Sequence, residues 1–172
     1  MIINASPLIL FGKINRLDIL KDIYKTIEIT GSVYDEVVVK GIEKNYVDAY
    51  IIKDSVEDNS IKILTLNDKS IEIAKKLQVI YSIDIGESDT IALAFQLGRK
   101  EIIIDEISAR ESAKSLGIKP IGSLRVLLIA YKNDLISRKE VDELLTQMIN
   151  SKYRLSPNVL NEFWNLFEKM KR

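Results

Sequence analysis

The chain has 172 residues, 47% hydrophobic and 29% charged, a globular balance on a length suited to one domain. That excludes a disordered tail, a collagen-like fibre and a mucin-like stalk. Lys+Arg and Asp+Glu both number 25, a formal net charge of +0, so any binding of nucleic acid must use a local patch rather than a global field.

The chain contains no Cys and no His. Disulfides, thiolate nucleophiles, Fe–S clusters, cysteine-ligated zinc, Ser-His-Asp triads and HExxH sites are therefore ruled out. Carboxylates, Lys, Tyr, Ser/Thr and oxygen-ligated hard cations such as Mg²⁺ or Mn²⁺ remain.

Short apolar runs with β-branched content predict strands at Met1–Ile3, Thr26–Ile29, Ile61–Leu64, Glu101–Ile104 and Ile118–Ile121. Helical patterns lie between most of them, the alternation of a parallel α/β sheet. Ile102–Ile104 shows no in-out alternation, as a strand covered on both faces should. Ser6-Pro7 reads as the N-cap and first position of a helix following the first strand. A helix over Ile107–Leu116 stops at Gly117, and Ser123, Ser137 and Ser156-Pro157 start three more. Residues 1–172, with single prolines and glycines and no repeat or linker, form one domain with a C-terminal helical extension over about 137–172. No basic stretch precedes the opening apolar residues, and no apolar run nears the roughly 18 residues of a membrane span. A soluble, cytoplasmic protein without a membrane partner is expected.

Polar residues at the carboxyl ends of strands sit where open α/β sheets bind ligands. Asn4 ends the first strand, and either faces that crevice or closes a turn. Asp105 ends the Ile102–Ile104 strand and points into the same crevice, caps the next helix, or does both; Glu106 follows it as a weaker candidate. Glu87 opens the buried stripe Glu87/Ile91/Ala94/Gly98, and also completes a capping box with Asp84. Asp89 lies about 200° around that helix and ranks second to Glu87. Glu36 lies beside the Val33/Val37 edge of a short helix, as a site residue or as an exposed acid. Acids brought this close repel and resist joint ionisation without a counter-charge, which a divalent cation supplies.

In order along the chain, Asn4-Ala5-Ser6-Pro7-Leu8-Ile9, Val33-Tyr34-Asp35-Glu36-Val37, Gly86-Glu87 with Ile91-Ala92-Leu93-Ala94, Ile104-Asp105-Glu106 with Ala109-Arg110, Leu116-Gly117-Ile118 and Arg154-Leu155-Ser156 resemble the PIN-domain ribonucleases. The likeness is to the branch with an (Asp or Asn)-x-Ser-Pro-Leu-Ile opening and a Gly-Glu helix start. The resemblance implies a three-layer α/β/α fold with a roughly five-stranded parallel sheet and C-terminal helices. It also implies Mg²⁺- or Mn²⁺-dependent hydrolysis of single-stranded RNA. Carried over, its catalytic and metal-binding residues fall on Asn4, Glu36, Glu87 and Asp105, with Asp89, Glu106 and Ser6 as secondary candidates. Kinship further implies a homodimeric toxin silenced by a small antitoxin protein. Asn4 stands where the family usually has Asp, so one negative charge is missing and weaker metal binding is expected.

Lys13, Arg16 and Arg110 are the cations expected near the crevice to track an RNA backbone. The stripe Leu160/Phe163/Phe167/Met170, with Trp164 adjoining, reads as core or as a partner surface. A metal-dependent endoribonuclease competes with a weakened PIN-like module that binds RNA or a protein partner. An acid-cluster phosphohydrolase would want an aspartate nucleophile where Asn4 stands.

Overall fold

Five short strands form one all-parallel sheet in the order β3-β2-β1-β4-β5: β1 (Ile2–Ile3), β2 (Ile27–Thr30), β3 (Ile61–Leu64), β4 (Glu101–Ile103) and β5 (Lys119–Ile121). The structure, a computed structural model, describes residues 1–153 and 155–170. Ile2 and Ile3 pair with Ile102 and Ile103, and β2 runs in register with β3 from Ile27↔Ile61 to Thr30↔Leu64. All five expected strands are present. β2 starts and ends one residue later than the sequence suggests, and β4 stops at Ile103, although the Ile104 N–H still bonds Ile121 O at 2.9 Å.

Alternation along the buried strands feeds two separate cores, as expected of a sheet covered on both faces. Ile3, Ile29 and Ile103 pack with Phe11, Leu20, Val37 and Phe167, whereas Ile2, Ile102 and Ile104 pack with Leu77, Ile91 and Ala113. The first core lies beneath α1 (Ala5–Lys13), α2 (Leu17–Tyr24), α5 (Val47–Glu57), α9 (Ser123–Lys132), α10 (Arg138–Asn150) and α11 (Pro157–Glu168). The second lies beneath α6 (Asp68–Tyr81), α7 (Ile85–Gln96) and α8 (Ile107–Ser115). This is the three-layer α/β/α arrangement. Strand order reverses beside β1, so the crevice at the carboxyl ends of β1 and β4 is the switch point where such sheets take ligands.

Between β2 and α5 the chain forms α3 (Gly31–Tyr34), a π-helical turn (Asp35–Val39) and α4 (Lys40–Glu43). Thr30 starts the run by accepting the Val33 N–H on its side chain. Farther on, a Cβ on Gly41 would stand 2.6 Å from Ala49 Cβ, so only glycine lets α5 lie this close. The sequence suggests a plain short helix here. Instead the chain takes a π-helical turn, in which both Val37 and Val38 are buried.

Two expected helix starts move. Ala5, not Pro7, opens α1, with Asn4 at the N-cap, because the first-turn amides lack helical partners anyway and Pro7 sits among them at no cost. Gly122 rather than Ser123 occupies the N-cap of α9, for a reason that lies in the site below. Ser137 forms a capping box with Glu140, and Ser156 caps α11 with Pro157 as its first residue, both as expected. On α11, Phe163 and Phe167 are buried while Leu160 and Trp164 are half-buried, as is Met170 just past its end, so the stripe is core. Tyr131 lies 4.6 Å from Phe167 between ring centroids, and the Arg138 guanidinium covers Phe167 at 4.7 Å. Arg154, part of the last quoted motif, lies outside the described residues.

Candidate active site

Asn4 reaches the switch point because β1 is so short. Its backbone N–H bonds Ile103 O at 2.9 Å, tying it to β4, and its side chain makes no cap hydrogen bond to α1. The residue is only 3% exposed. Thr90 on α7 has its hydroxyl 3.4 Å from Asn4 Oδ1, but the single hydroxyl proton has a better acceptor in Gly86 O at 2.7 Å. The amide oxygen is therefore weakly engaged.

Gly86, in the first turn of α7, brings three elements together. A Cβ there would stand 3.2 Å from Glu36 Oε2, 3.5 Å from Asp84 Oδ1 and 3.7 Å from Asn4 Oδ1. Three oxygens, from the π-helical turn, the α7 N-cap and the end of β1, thus face a space that any side chain at position 86 would fill. Burial pushes the Glu36 carboxyl above its ordinary range, the Asp84 charge adds to this, and Lys40, four residues on, opposes it.

Glu87 completes the capping box: its N–H donates to Asp84 Oδ1 at 2.8 Å and its Oε2 accepts the Asp84 N–H at 3.0 Å. The capping reading of Glu87 holds, and the same carboxylate feels the charges of Asp84, Glu106 and Glu36. Burial first, and those neighbours next, raise its pKa against the pull of the Asp84 amide. Asp89, on another side of α7, accepts the Ser32 hydroxyl at 2.7 Å, beside Thr30 at the end of β2. Its pKa is also raised by burial, opposed by the Ser32 hydrogen bond and assisted by Asp84.

Asp105 does not cap the helix that follows it. Its Oδ1 accepts the Ser123 N–H at 2.8 Å and its Oδ2 the Ser123 hydroxyl at 2.6 Å, so from the end of the neighbouring strand it caps α9, of which Ser123 is the first residue rather than the N-cap. Burial raises its pKa against the hydrogen bonds of Ser123 and Tyr153 and the charge of Arg110. Glu106 stands at the N-cap of α8 without a side-chain cap bond and accepts the Ser6 hydroxyl at 3.1 Å.

The three expected cations part company. Arg110 donates to Ile104 O at 3.1 Å beside Asp105. Lys13 and Arg110 both line a groove of about 1110 Å³ together with Ser6, Asp105 and Glu106. Arg16 instead pairs with Asp18 at 3.1 Å and reaches Glu140 at 3.7 Å, tying α2 to α10.

Sequence reasoning passes over Asp84 as a site residue, having assigned it to capping, and does not find Thr90, Ser123 or Tyr153 at the acids. Among cations it misses Arg125 and Lys152, which line the same groove. Asp84 was findable, since a cap residue three positions from a candidate acid is adjacent to it in space.

These residues fit a hydrated hard cation. The donors are all oxygens, the acids carry charge that raises one another's pKa, and the space at Gly86 is bounded by three of them. Among the described residues no three carboxylates close around an ion by themselves. An ion that keeps several waters and takes one or two carboxylates, as Mg²⁺ does, needs no such cage.

A sequence model of a protein family, DUF3368, described as a PIN domain, matches residues 1–169. No curated protein matches the chain. PIN-domain proteins are usually nucleases, hydrolases that typically use divalent metal ions. No helix among the described residues is long and apolar enough to cross a membrane.

Proposed function

The chain belongs to the PIN-domain family, and on that premise we propose that it is a Mg²⁺- or Mn²⁺-dependent endoribonuclease of single-stranded RNA. The observation that carries this is the convergence of Asn4 Oδ1, Glu36 Oε2 and Asp84 Oδ1 on the space above Gly86 at the switch point. Asn4, Glu36, Glu87 and Asp105 would hold the ion, directly or through its waters, and Asp84 would add charge. When bound, the ion polarises the scissile phosphodiester and lowers the pKa of an attacking water. Glu36 Oε2, which faces that space, would take the proton from the water there. Asp105 is fixed by its two bonds from Ser123. Lys13 and Arg110, on the groove that Asp105 also lines, would screen the phosphates of the strand.

The same reading includes a toxin role, with a homodimer and a small antitoxin partner; it rests on the likeness of the opening Asn-x-Ser-Pro-Leu-Ile and Gly-Glu motifs. A second reading, a weakened module that binds RNA or a protein partner, is favoured by one observation: position 4 offers an amide where a carboxylate would add charge.

The test is cleavage of labelled single-stranded RNA with Mn²⁺, Mg²⁺ or EDTA, with Asp105→Asn purified identically. Metal-dependent cleavage lost in the variant supports the nuclease. Equal activity in both proteins, or none in either across several RNAs, moves the assignment to the binding module.

A further inference from the structure

We infer, on the nuclease reading above, that Asp89 is a positioning residue for Glu36: it accepts a hydrogen bond from Ser32, one turn before Glu36, and so fixes the segment that carries the acid against α7. Asp89 is not among the four residues that would hold the ion.

Two contacts join the same two segments in matching register. Ser32 and Glu36 are four residues apart and Gly86 and Asp89 three apart, so each pair shares one face of its helical segment. On those faces the Ser32 hydroxyl donates to Asp89 Oδ2 at 2.7 Å, and Glu36 Oε2 lies 3.2 Å from where a Cβ on Gly86 would stand. The hydrogen bond and the acid thus sit about one turn apart along both segments.

The proton inventory gives the bonds a direction. The Ser32 hydroxyl proton goes to Asp89, since an ionised carboxylate only accepts. Ser32 Oγ then accepts from the Thr30 hydroxyl, 2.9 Å away, and Thr30 Oγ1 accepts the Val33 N–H at 3.3 Å. One chain of bonds therefore runs from the first turn of α3, through the end of β2, to α7, each bond polarising the next. Thr30 is fully buried and Ser32 and Asp89 are half-buried, which limits competition from water.

Glu36 depends on such an anchor. Among the described residues none donates a hydrogen bond to its carboxylate, so its place is set by the segment that carries it. That segment is a π-helical turn preceded by the single turn of α3. Anchoring Ser32 to α7 fixes that turn, and with it the approach of Glu36 to Gly86. A displacement of about 1 Å at a reacting group can cost on the order of a hundredfold in rate.

Asp89→Ala and Ser32→Ala each remove the bond and leave Glu36 and Gly86 unaltered. Each should lower kcat about 10- to 100-fold with KM for RNA unchanged, and the double variant should lose no more than either alone. Asp89→Asn keeps an oxygen to accept the Ser32 proton and should lose far less than Asp89→Ala. Mn²⁺ affinity, read by electron paramagnetic resonance without RNA, should follow the same order, falling about tenfold in the alanine variants. Nuclear magnetic resonance of the metal-free protein reads the geometry itself. Nuclear Overhauser cross-peaks between the Glu36 γ-protons and the Gly86 α-protons should be present in the wild type and Asp89→Asn, and lost in both alanine variants.

Asp89→Asn as damaging as Asp89→Ala would make Asp89 an ion ligand and overturn the inference, as would losses that add in the double variant. A raised KM at constant kcat would instead make Asp89 an RNA contact. Cross-peaks absent from the wild type, or surviving in both alanine variants, would show that the pair does not place Glu36. A wild-type chain that neither binds Mn²⁺ nor cuts RNA would overturn the nuclease reading, and the cross-peaks would still decide whether Asp89 positions Glu36.

Discussion

Glu36 Oε2 and Asp84 Oδ1 flank one point in space, 3.2 and 3.5 Å from where a side chain on Gly86 would begin. Their segments lie nearly fifty residues apart in the chain and meet only because α3 and α7 pack together over the sheet. Gly86 is helical, so alanine there meets no backbone penalty, and the flexible Glu36 carboxylate 3.2 Å away can give by the small amount a Cβ needs. Gly86→Ala should therefore fold with an unchanged or higher Tm while losing Mn²⁺ affinity. Thermal denaturation and isothermal titration with Mn²⁺ check both halves, and an unchanged affinity would mean that the ion sits elsewhere.

Asn4→Asp adds a negative charge to a nearly buried position already facing two carboxylates. Without metal the variant should melt at a lower temperature than the wild type, through repulsion and desolvation. With saturating Mg²⁺ the order should reverse, since a ligand that binds the folded state stabilises it in proportion to its affinity. Tm curves with and without Mg²⁺ decide this, and equal Mg²⁺ responses would show that position 4 does not contact the ion.

Glu36, Glu87, Asp89 and Asp105 all have raised carboxyl pKa values, each principally from burial. A carboxyl raised in the folded state binds more protons folded than unfolded between its ordinary and its raised pKa. The slope of stability with pH is then negative, so stability falls as pH rises from the ordinary carboxylate range through the raised values. Glu36→Gln removes one such contribution. In metal-free urea unfolding it should stabilise the protein at pH 7 and have little effect near pH 4. Stabilisation of equal size at both would trace the effect to packing.

Ser123 is fully buried and gives Asp105 both its N–H and its hydroxyl. Ser123→Ala keeps the first donor and removes the second. Loss of a hydrogen bond to a charged group should cost about 1.5–3 kcal/mol of stability, read from urea unfolding at pH 7. At low pH, with Asp105 protonated, the cost should shrink.

Phe167 is fully buried against Tyr131, Phe163 and Trp164. Phe167→Ala should cost about 3–5 kcal/mol. If α11 were only a partner surface, the variant would keep its stability and change its elution in size-exclusion chromatography instead.

The strands and the switch point were legible because both depend on local pattern. The β-branched runs mark the sheet, and an alternating βα order forces Asn4 and Asp105 to the same edge. Glu87 was legible as a cap because the capping box is a spacing rule. The pairing of Asp105 with Ser123 was not, since it spans eighteen residues and depends on how β4 and β5 stand side by side. Tyr153 left no local signal: a tyrosine after a helix reads as loop. The π-helical turn was hidden for a different reason. Asp35-Glu36-Val37-Val38-Val39 has the composition of an ordinary helix, and no residue in it marks the wider turn.

That turn also affects how this chain is to be compared with its relatives. A π turn spends about one residue more per turn than an α-helix, so a homologue with a regular helix would need one residue fewer between the acid matching Glu36 and the glycine matching Gly41. Correct alignment then requires a single-residue gap inside a helix, where alignments are usually kept gapless. Without it, either the acid or the glycine falls out of register, and a homologue that has both would be scored as lacking one of them.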